Sequence, residues 1–180
     1  YDRPYTTMSK FRLCTECRKE YEDPANRRFH AQPNACPACG PMLVLYKNDL
    51  WCGRDALQCV STQDVVEEIC KLLKKGFILA VKGIGGYHLA CDASNEKAVA
   101  KLRKRKIRED KPFAVMVPDM KAAEKLCRIG RIEKDILMGP ERPVLLLRKK
   151  SDAGLAPSVA PNQKYLGLLL PYTPLHRLIM

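Results

Sequence analysis

The sequence predicts an α/β domain preceded by a small four-cysteine module, and three observations carry that prediction. Two Cys-x-x-Cys pairs, Cys14/Cys17 and Cys36/Cys39, fall in a first stretch rich in Cys, Pro and Arg with little periodicity. Beyond it, short apolar runs alternate with amphipathic segments, the pattern of strands and helices sharing a sheet. A glycine-rich turn, Lys82-Gly-Ile-Gly-Gly-Tyr-His88, directly follows one of those runs. The boundary is placed near residue 60, with the cysteine module and its linker at 1–60 and the α/β domain at 61–180.

The first helix of that domain is the clearest. Ser61 or Thr62 can cap it, and Val65, Ile69, Leu72 and Leu73 form the apolar stripe of an amphipathic helix. Lys74 and Lys75 suit the negative end of its dipole, and Gly76 suits the left-handed position beyond the last turn. Phe77 to Val81 reads as a buried strand ending in the loop of Gly83, Gly85 and Gly86. A second helix, capped by Ser94 or Asn95, runs from about Glu96 into a basic cluster. Phe113 to Val117 reads as a strand, Asp119 to Arg128 as a helix, and Ile132 to Leu137 as a further helical turn or two. Pro143 to Leu147 and Leu166 to Leu170 are the remaining strands. Periodicity alone does not decide between a parallel and a mixed sheet.

Composition narrows the function classes. The 180 residues carry 32 Lys+Arg against 20 Asp+Glu, a net charge of +12, with most of the excess beyond residue 60. A hydrophobic fraction of 46% is too high for a disordered chain. No apolar run approaches the roughly 20 residues that span a bilayer, and the N-terminus lacks the charged start and apolar stretch of a signal peptide. A cytoplasmic location is therefore expected, where paired cysteines hold metal more often than they form disulfides. The chain begins at Tyr1 and ends on the apolar Leu178-Ile179-Met180, so it is expected to be a piece of something longer.

The cysteine quartet has the spacing of a zinc site. Two intervening residues let both sulfurs of a tight turn reach one ion, and two such turns complete a tetrahedron. Four thiolates leave no open coordination position, so the expected zinc is structural rather than catalytic. A redox pair would sit where a strand meets a helix, and neither pair has that setting. His30, between the pairs, is a less favoured substitute ligand. Cys52 and Cys59 have no partner pair and read as ordinary thiols.

Residues 101–111 hold seven basic side chains in eleven, with their only acids, Glu109 and Asp110, near the end. A solvated helix face, a nucleic-acid patch and a polyphosphate site all fit the charge. Little aromatic interleaving speaks for base stacking. The glycine turn after the first strand lets backbone approach a ligand closely. It matches neither the Walker phosphate loop nor the dinucleotide fingerprint. A tight turn with Tyr87 and His88 as plain packing residues is the bland alternative. Together, the two segments favour an anionic ligand such as a nucleotide.

Several blocks resemble the HypF family of carbamoyltransferases, which act in [NiFe]-hydrogenase maturation. They are Tyr1-Asp-Arg-Pro-Tyr-Thr-Thr-Met8, Tyr21-Glu-Asp-Pro24, Arg27-Arg-Phe-His-Ala-Gln-Pro33 and Ala35-Cys-Pro-Ala-Cys-Gly-Pro41 in the first part. In the second they are Lys82 to Ala93, Lys111-Pro-Phe-Ala-Val-Met116 and Leu170-Pro-Tyr-Thr-Pro-Leu-His176. The resemblance implies that the α/β part is a YrdC-like domain, an α+β twisted mixed sheet, truncated before its Ser-x-Asn-x-Ser-Gly segment. It also implies an earlier finger and a Kae1-like transferase domain elsewhere in the longer protein.

The chemistry the resemblance implies is activation of carbamate, derived from carbamoyl phosphate, by ATP with Mg2+ to carbamoyl-adenylate. The carbamoyl group would then pass to the C-terminal cysteine of a HypE-type acceptor, as a source of hydrogenase cyanide. Lys106-x-Arg108-x-x-Lys111-Pro112 matches the pattern that grips ATP phosphates in YrdC-like proteins. Tyr87, with Leu89 and Asp92, matches the stretch beside the bound acyl group, with His88 in place of a glycine. Gly83 and Gly85 stand where threonylcarbamoyl-adenylate synthases have threonines, which argues against threonine as substrate. The candidate ligand set is thus Lys82, Tyr87, His88, Asp92, Lys106, Arg108 and Lys111, with no evident general base, and the fragment alone is expected to be inactive. An RNA-binding module and a scaffold in which the finger orients neighbouring domains are the competing readings.

Overall fold

In the computed structural model, which describes residues 3–47, 50–52, 62–151 and 153–180, the chain falls into two units, Tyr1–Val65 and Val66–Met180. The boundary expected near residue 60, the alternative cap Ser61, Cys59 and the side chain of Cys52 lie outside the described residues.

Residues 3–47 have little apolar interior. Two 3-10 turns, Arg3–Tyr5 and Thr7–Lys10, precede helix α1 (Thr15–Glu22). A hairpin follows, β1 (Leu45–Lys47) against β2 (Leu50–Cys52), antiparallel with Leu45 opposite Cys52. Among described residues 3–47 only Cys17 and Tyr21 are buried apolar side chains. Polar bonds substitute for a core. The buried Arg3 guanidinium donates to the carbonyls of Phe11 at 2.8 Å, Asn34 at 3.3 Å and Gln32. Asn34 Nδ2 donates to the Cys17 carbonyl at 2.9 Å.

Helix α2 (Thr62–Lys74) buries Val65, Ile69 and Leu72 of the expected stripe and leaves Leu73 half-buried. Its end is a Schellman motif: Gly76 has φ +82°, and the Phe77 N–H reaches the Leu72 carbonyl at 3.0 Å. Strand β3 (Leu79–Lys82) pairs antiparallel with β4 (Tyr87–Ala90), a strand that the sequence pattern does not predict. The expected buried strand from Phe77 to Val81 is corrected accordingly. β3 alternates half-buried and exposed positions, and Phe77 is itself exposed, because among the described residues β4 is its one partner and one face of the pair is left open.

Helix α3 (Glu96–Arg105) is capped by Asn95, whose side-chain oxygen accepts from the Ala98 N–H at 3.1 Å, rather than by Ser94. A four-stranded mixed sheet then forms in the order β5-β8-β7-β6. Its strands are β5 (Ala114–Met116), β6 (Cys127–Arg128), β7 (Leu145–Lys149) and β8 (Tyr165–Leu169). β5 and β8 run parallel, while β7 is antiparallel to both β8 and β6. Helix α4 (Met120–Leu126) starts on the Asp119 cap and stops two residues before the expected Arg128. Cys127 turns to extended backbone there and pairs with Lys149. Helix α5 (Arg131–Met138) follows, with Glu133 accepting from the Gly130 N–H at 3.0 Å. β7 begins two residues beyond the expected Pro143, which has no amide proton for the ladder.

The core lies around β8. Leu166 and Leu168 are fully buried, with Leu147, Val115, Val117, Val99, Ala123 and Leu137 packed about them. Gly167, between the two leucines, is where a Cβ would meet Val144 Cγ1 at 3.1 Å. Helix α6 (Pro174–Ile179) closes the described fold, with Thr173 Oγ1 accepting from the His176 N–H at 3.1 Å.

Candidate functional site

The four predicted metal-ligating cysteines come together. The Sγ atoms of Cys14, Cys17, Cys36 and Cys39 all lie within 4.8 Å of one another. Cys14 and Cys36 are 3.6 Å apart, and Cys36 and Cys39 are 3.9 Å apart. A tetrahedron of about 2.3 Å metal–sulfur bonds has edges of about 3.8 Å, so the quartet fits a zinc ion. Local structure sets this up. Cys14 is the N-cap of α1 and Cys17 lies in its first turn, while the second pair sits on a tight turn. In that turn the Ala38 N–H points at Cys36 Sγ at 3.3 Å, and the Gly40 N–H at the Cys36 carbonyl at 2.7 Å.

The same geometry divides the thiols. Burial pushes the Cys17 thiol up, with its sulfur neighbours adding to the effect. Backbone N–H groups pull the other pair down, Cys36 through Ala38 and Cys39, and Cys39 to about 6 through Cys14 and Cys36. His30 does not join the cluster; its ring stacks on Phe29 at 3.9 Å and lies 5.3 Å from Tyr21.

The predicted ligand residues of the second unit form two groups. One is the β3–β4 hairpin, where Lys82 pairs with Tyr87 and Val81 with His88. Side chains alternate across a strand, so Lys82, Tyr87 and Leu89 share one face while His88 turns to the other. Lys82 Nζ lies 5.1 Å from the centroid of the exposed Tyr87 ring. His88 instead bonds Tyr172, its Nε2 2.7 Å from the Tyr172 hydroxyl. Asp92 faces its own loop: Oδ1 accepts from the Ser94 N–H at 2.8 Å and the Ser94 hydroxyl at 2.7 Å.

The other group is the loop after α3. Lys106 and Lys111 are exposed and carry no ion pair among the described residues. Arg108 turns inward, donating from Nε to the Lys111 carbonyl at 2.9 Å and from Nη2 to the Pro112 carbonyl at 2.6 Å. Arg103, which the sequence reading counted only as part of the basic run, holds the same loop from within. Its Nη1 donates to the carbonyls of Arg108 and Glu109, both at 2.8 Å, and its Nε to the Ser158 carbonyl at 3.0 Å. Both guanidinium groups lie over the Phe113 ring, 4.8 and 5.0 Å from its centroid. No hydrogen bond or ring contact among the described residues joins the hairpin set to Lys106, Arg108 or Lys111.

Comparison with known proteins places these features. Residues 13–46 match the family model of the HypF finger, and residues 71–180 match the Sua5, YciO and YrdC model, described as telomere recombination. The carbamoyltransferase HypF of Rhodobacter capsulatus is 46% identical over the whole chain. The chain belongs to the HypF family. It spans 23% of that HypF relative's length and 22% of each of two solved HypF structures. One of these is the T. kodakarensis HypF, 43% identical over 99% of the chain with a TM-score of 0.79. The other is a full-length HypF in a phosphate- and nucleotide-bound form, 42% identical over the whole chain with a TM-score of 0.77. The HypF finger match contains all four cysteines, and the second match contains both the hairpin and the basic loop. Among the described residues no helix is long and apolar enough to cross a membrane.

The meeting of Tyr172 and His176 with His88 has no signature in the spacing of these residues, since His88 lies far from the other two in the chain. The local signal was the Thr173-Pro174 pair, a cap followed by proline at the first helical position.

Proposed function

We propose that Cys14, Cys17, Cys36 and Cys39 hold a structural zinc, in a module at 1–60, and that 61–180 is part of a YrdC-like nucleotide-binding domain. That domain would activate carbamate, derived from carbamoyl phosphate, with ATP in a cytoplasmic enzyme. Bound zinc would supply folding free energy to residues 3–47, which have little apolar interior. An oxygen of carbamate attacks the α-phosphorus of ATP. The new O–P bond forms as the bond to the β-bridging oxygen breaks, and its electron pair leaves with pyrophosphate. Carbamoyl-adenylate results, and the remaining domains of the longer protein would pass its carbamoyl group to a HypE-type acceptor.

The observation that carries this reading is the loop after α3. Arg103 and Arg108 gather its carbonyls inward, which leaves Lys106 and Lys111 displayed without counter-ions among the described residues. Cations brought against a bound triphosphate stabilise charge arriving on a leaving pyrophosphate. Mg2+, when bound with ATP, would neutralise part of the same charge. Lys82 and Tyr87 offer a cation and a planar ring on the open hairpin face for the rest of the ligand.

The test is carbamoyl phosphate-dependent exchange of pyrophosphate into ATP by the whole enzyme, with nucleotide affinity by calorimetry. Exchange that requires carbamoyl phosphate supports the reading. Its absence, with affinity for RNA that falls steeply and uniformly with salt, would replace it with an RNA-binding module.

A further inference from the structure

His88 stands apart from the other predicted ligands because its face of the hairpin is directed at the segment leading into α6. Three aromatic side chains meet there. The Tyr172 hydroxyl is 2.7 Å from His88 Nε2. The Tyr172 ring stands edge-on to His176 at 4.5 Å, and His88 stands edge-on to His176 at 6.1 Å. His176 is 5% exposed, and its Nδ1 is buried without a hydrogen-bond partner.

The backbone is shaped to allow this meeting. A Cβ at Gly83 would lie 2.6 Å from His88 Nε2 and 3.0 Å from the Tyr172 hydroxyl, so the ring and the phenol occupy space that only glycine leaves open. On the other side Pro171 and Pro174 fix φ around Tyr172, and the Thr173 cap anchors the turn that carries His176. Tyr172 is therefore held from its own side and reaches across to the hairpin through one hydrogen bond between residues 84 apart in sequence.

We propose that Tyr172 is a positioning residue for the adenylate-forming site: through His88 it latches the β3–β4 hairpin so that the opposite face presents Lys82 and Tyr87 in fixed geometry. His176 is the wall behind the tyrosine. The catalytic half of this inference rests on the adenylation reading above, whereas the latch itself does not. His88 acts on the ligand only through the strand it anchors, since Val81 and His88 face away from Lys82 and Tyr87.

The test uses the whole enzyme and four variants: Tyr172→Phe, His88→Ala, Gly83→Ala and His88→Gln, whose amide reaches the place of Nε2. Amide hydrogen exchange reads the latch. Tyr172→Phe, His88→Ala and Gly83→Ala are expected to speed exchange in β3 and β4 about tenfold, while His88→Gln stays within about threefold of the parent. Pyrophosphate exchange reads positioning. Tyr172→Phe and His88→Ala are expected to lower kcat about tenfold with little change in the KM for ATP, and the double variant to lose no more than either single one. Unchanged hairpin exchange in Tyr172→Phe would overturn the latch. Additive losses, or no rescue by glutamine, would overturn the positioning role. A parent enzyme without pyrophosphate exchange would instead count against the adenylation reading and leave the amide data to decide the latch.

Discussion

Arg108 lies over the ring of Phe113, its guanidinium carbon 5.0 Å from the centroid, and directs two donors to the carbonyls that immediately precede that ring. A residue drawn from a basic motif thus shapes its own loop, and Lys106 and Lys111 are the cations left facing outward. The two kinds of cation should respond differently to replacement. Lys106→Ala removes one phosphate contact and is expected to weaken ATP binding about tenfold with little effect on stability. Arg108→Ala removes two hydrogen bonds and a cation–π contact as well. It is expected to weaken ATP at least as much and to lower the denaturation midpoint by the equivalent of about 1–2 kcal/mol. Calorimetry and denaturant titration on the same preparations check both, with zinc content unchanged in each.

Between those cations sits a strained residue. Ile107 has φ +47°, at the left-handed position of a Schellman motif: its N–H reaches the Lys104 carbonyl at 3.2 Å, and the Arg108 N–H the Arg103 carbonyl at 3.2 Å. A β-branched side chain is costly there, and this one is 89% exposed, so no packing offsets the cost. Ile107→Gly is expected to raise stability by about 1 kcal/mol, despite glycine's greater freedom in the unfolded chain. A denaturation midpoint below that of the parent would contradict the strain argument.

Much of this was legible because it is local. The Asn95 cap, the start of α4 at Asp119, the Gly76 terminus and the spacing of Cys14, Cys17, Cys36 and Cys39 each depend on residues a few positions apart, and each appears where the pattern put it. The sheet was less legible. Cys127 belongs to a helical pattern by composition, yet pairing with Lys149 draws it into a strand. The hairpin after Leu79 was hidden because the Gly83–Gly86 turn looked like the end of an element rather than its middle. That omission hid the division of Tyr87 from His88, since the two faces of β4 exist only once β4 is a strand. Arg103 was indistinguishable from a solvated cation, and the phosphate motif gave no sign that Arg108 turns inward, because inward direction depends on carbonyls that the loop supplies only when folded.

His176 gives a pH signature. Burial lowers the pKa of its imidazole below the ordinary 6.5, and the neighbouring His88 adds to the shift. Below 6.5 the unfolded chain therefore takes up a proton that the folded chain refuses, so stability falls as pH drops through 6.5 and levels off below the lowered folded value. His176→Leu removes this dependence and also the unpartnered Nδ1. The variant is expected to match or exceed the parent by about 1 kcal/mol at pH 7.5 and to gain further on it at pH 5. Equal midpoints for variant and parent at both pH values would show that His176 titrates as freely as in the unfolded chain.

The metal prediction follows from how little apolar burial holds residues 3–47. With only Cys17 and Tyr21 as buried apolar side chains among residues 3–47, apolar burial contributes little to ordering them. Ordering those residues opposes folding, and an ion joining the four sulfurs would supply free energy that apolar burial does not. Elemental analysis should find one zinc per chain, lost in Cys36→Ser and on treatment with a strong chelator. Zinc loss should also release amide protection from residues 3–47, including α1, while β8 around Leu166 and Leu168 stays protected, because that core is apolar and complete without metal. A zinc-free chain that keeps α1 protected would mean the polar clasp of Arg3 and Asn34 suffices, and the quartet would then be four neighbouring thiols rather than a metal centre.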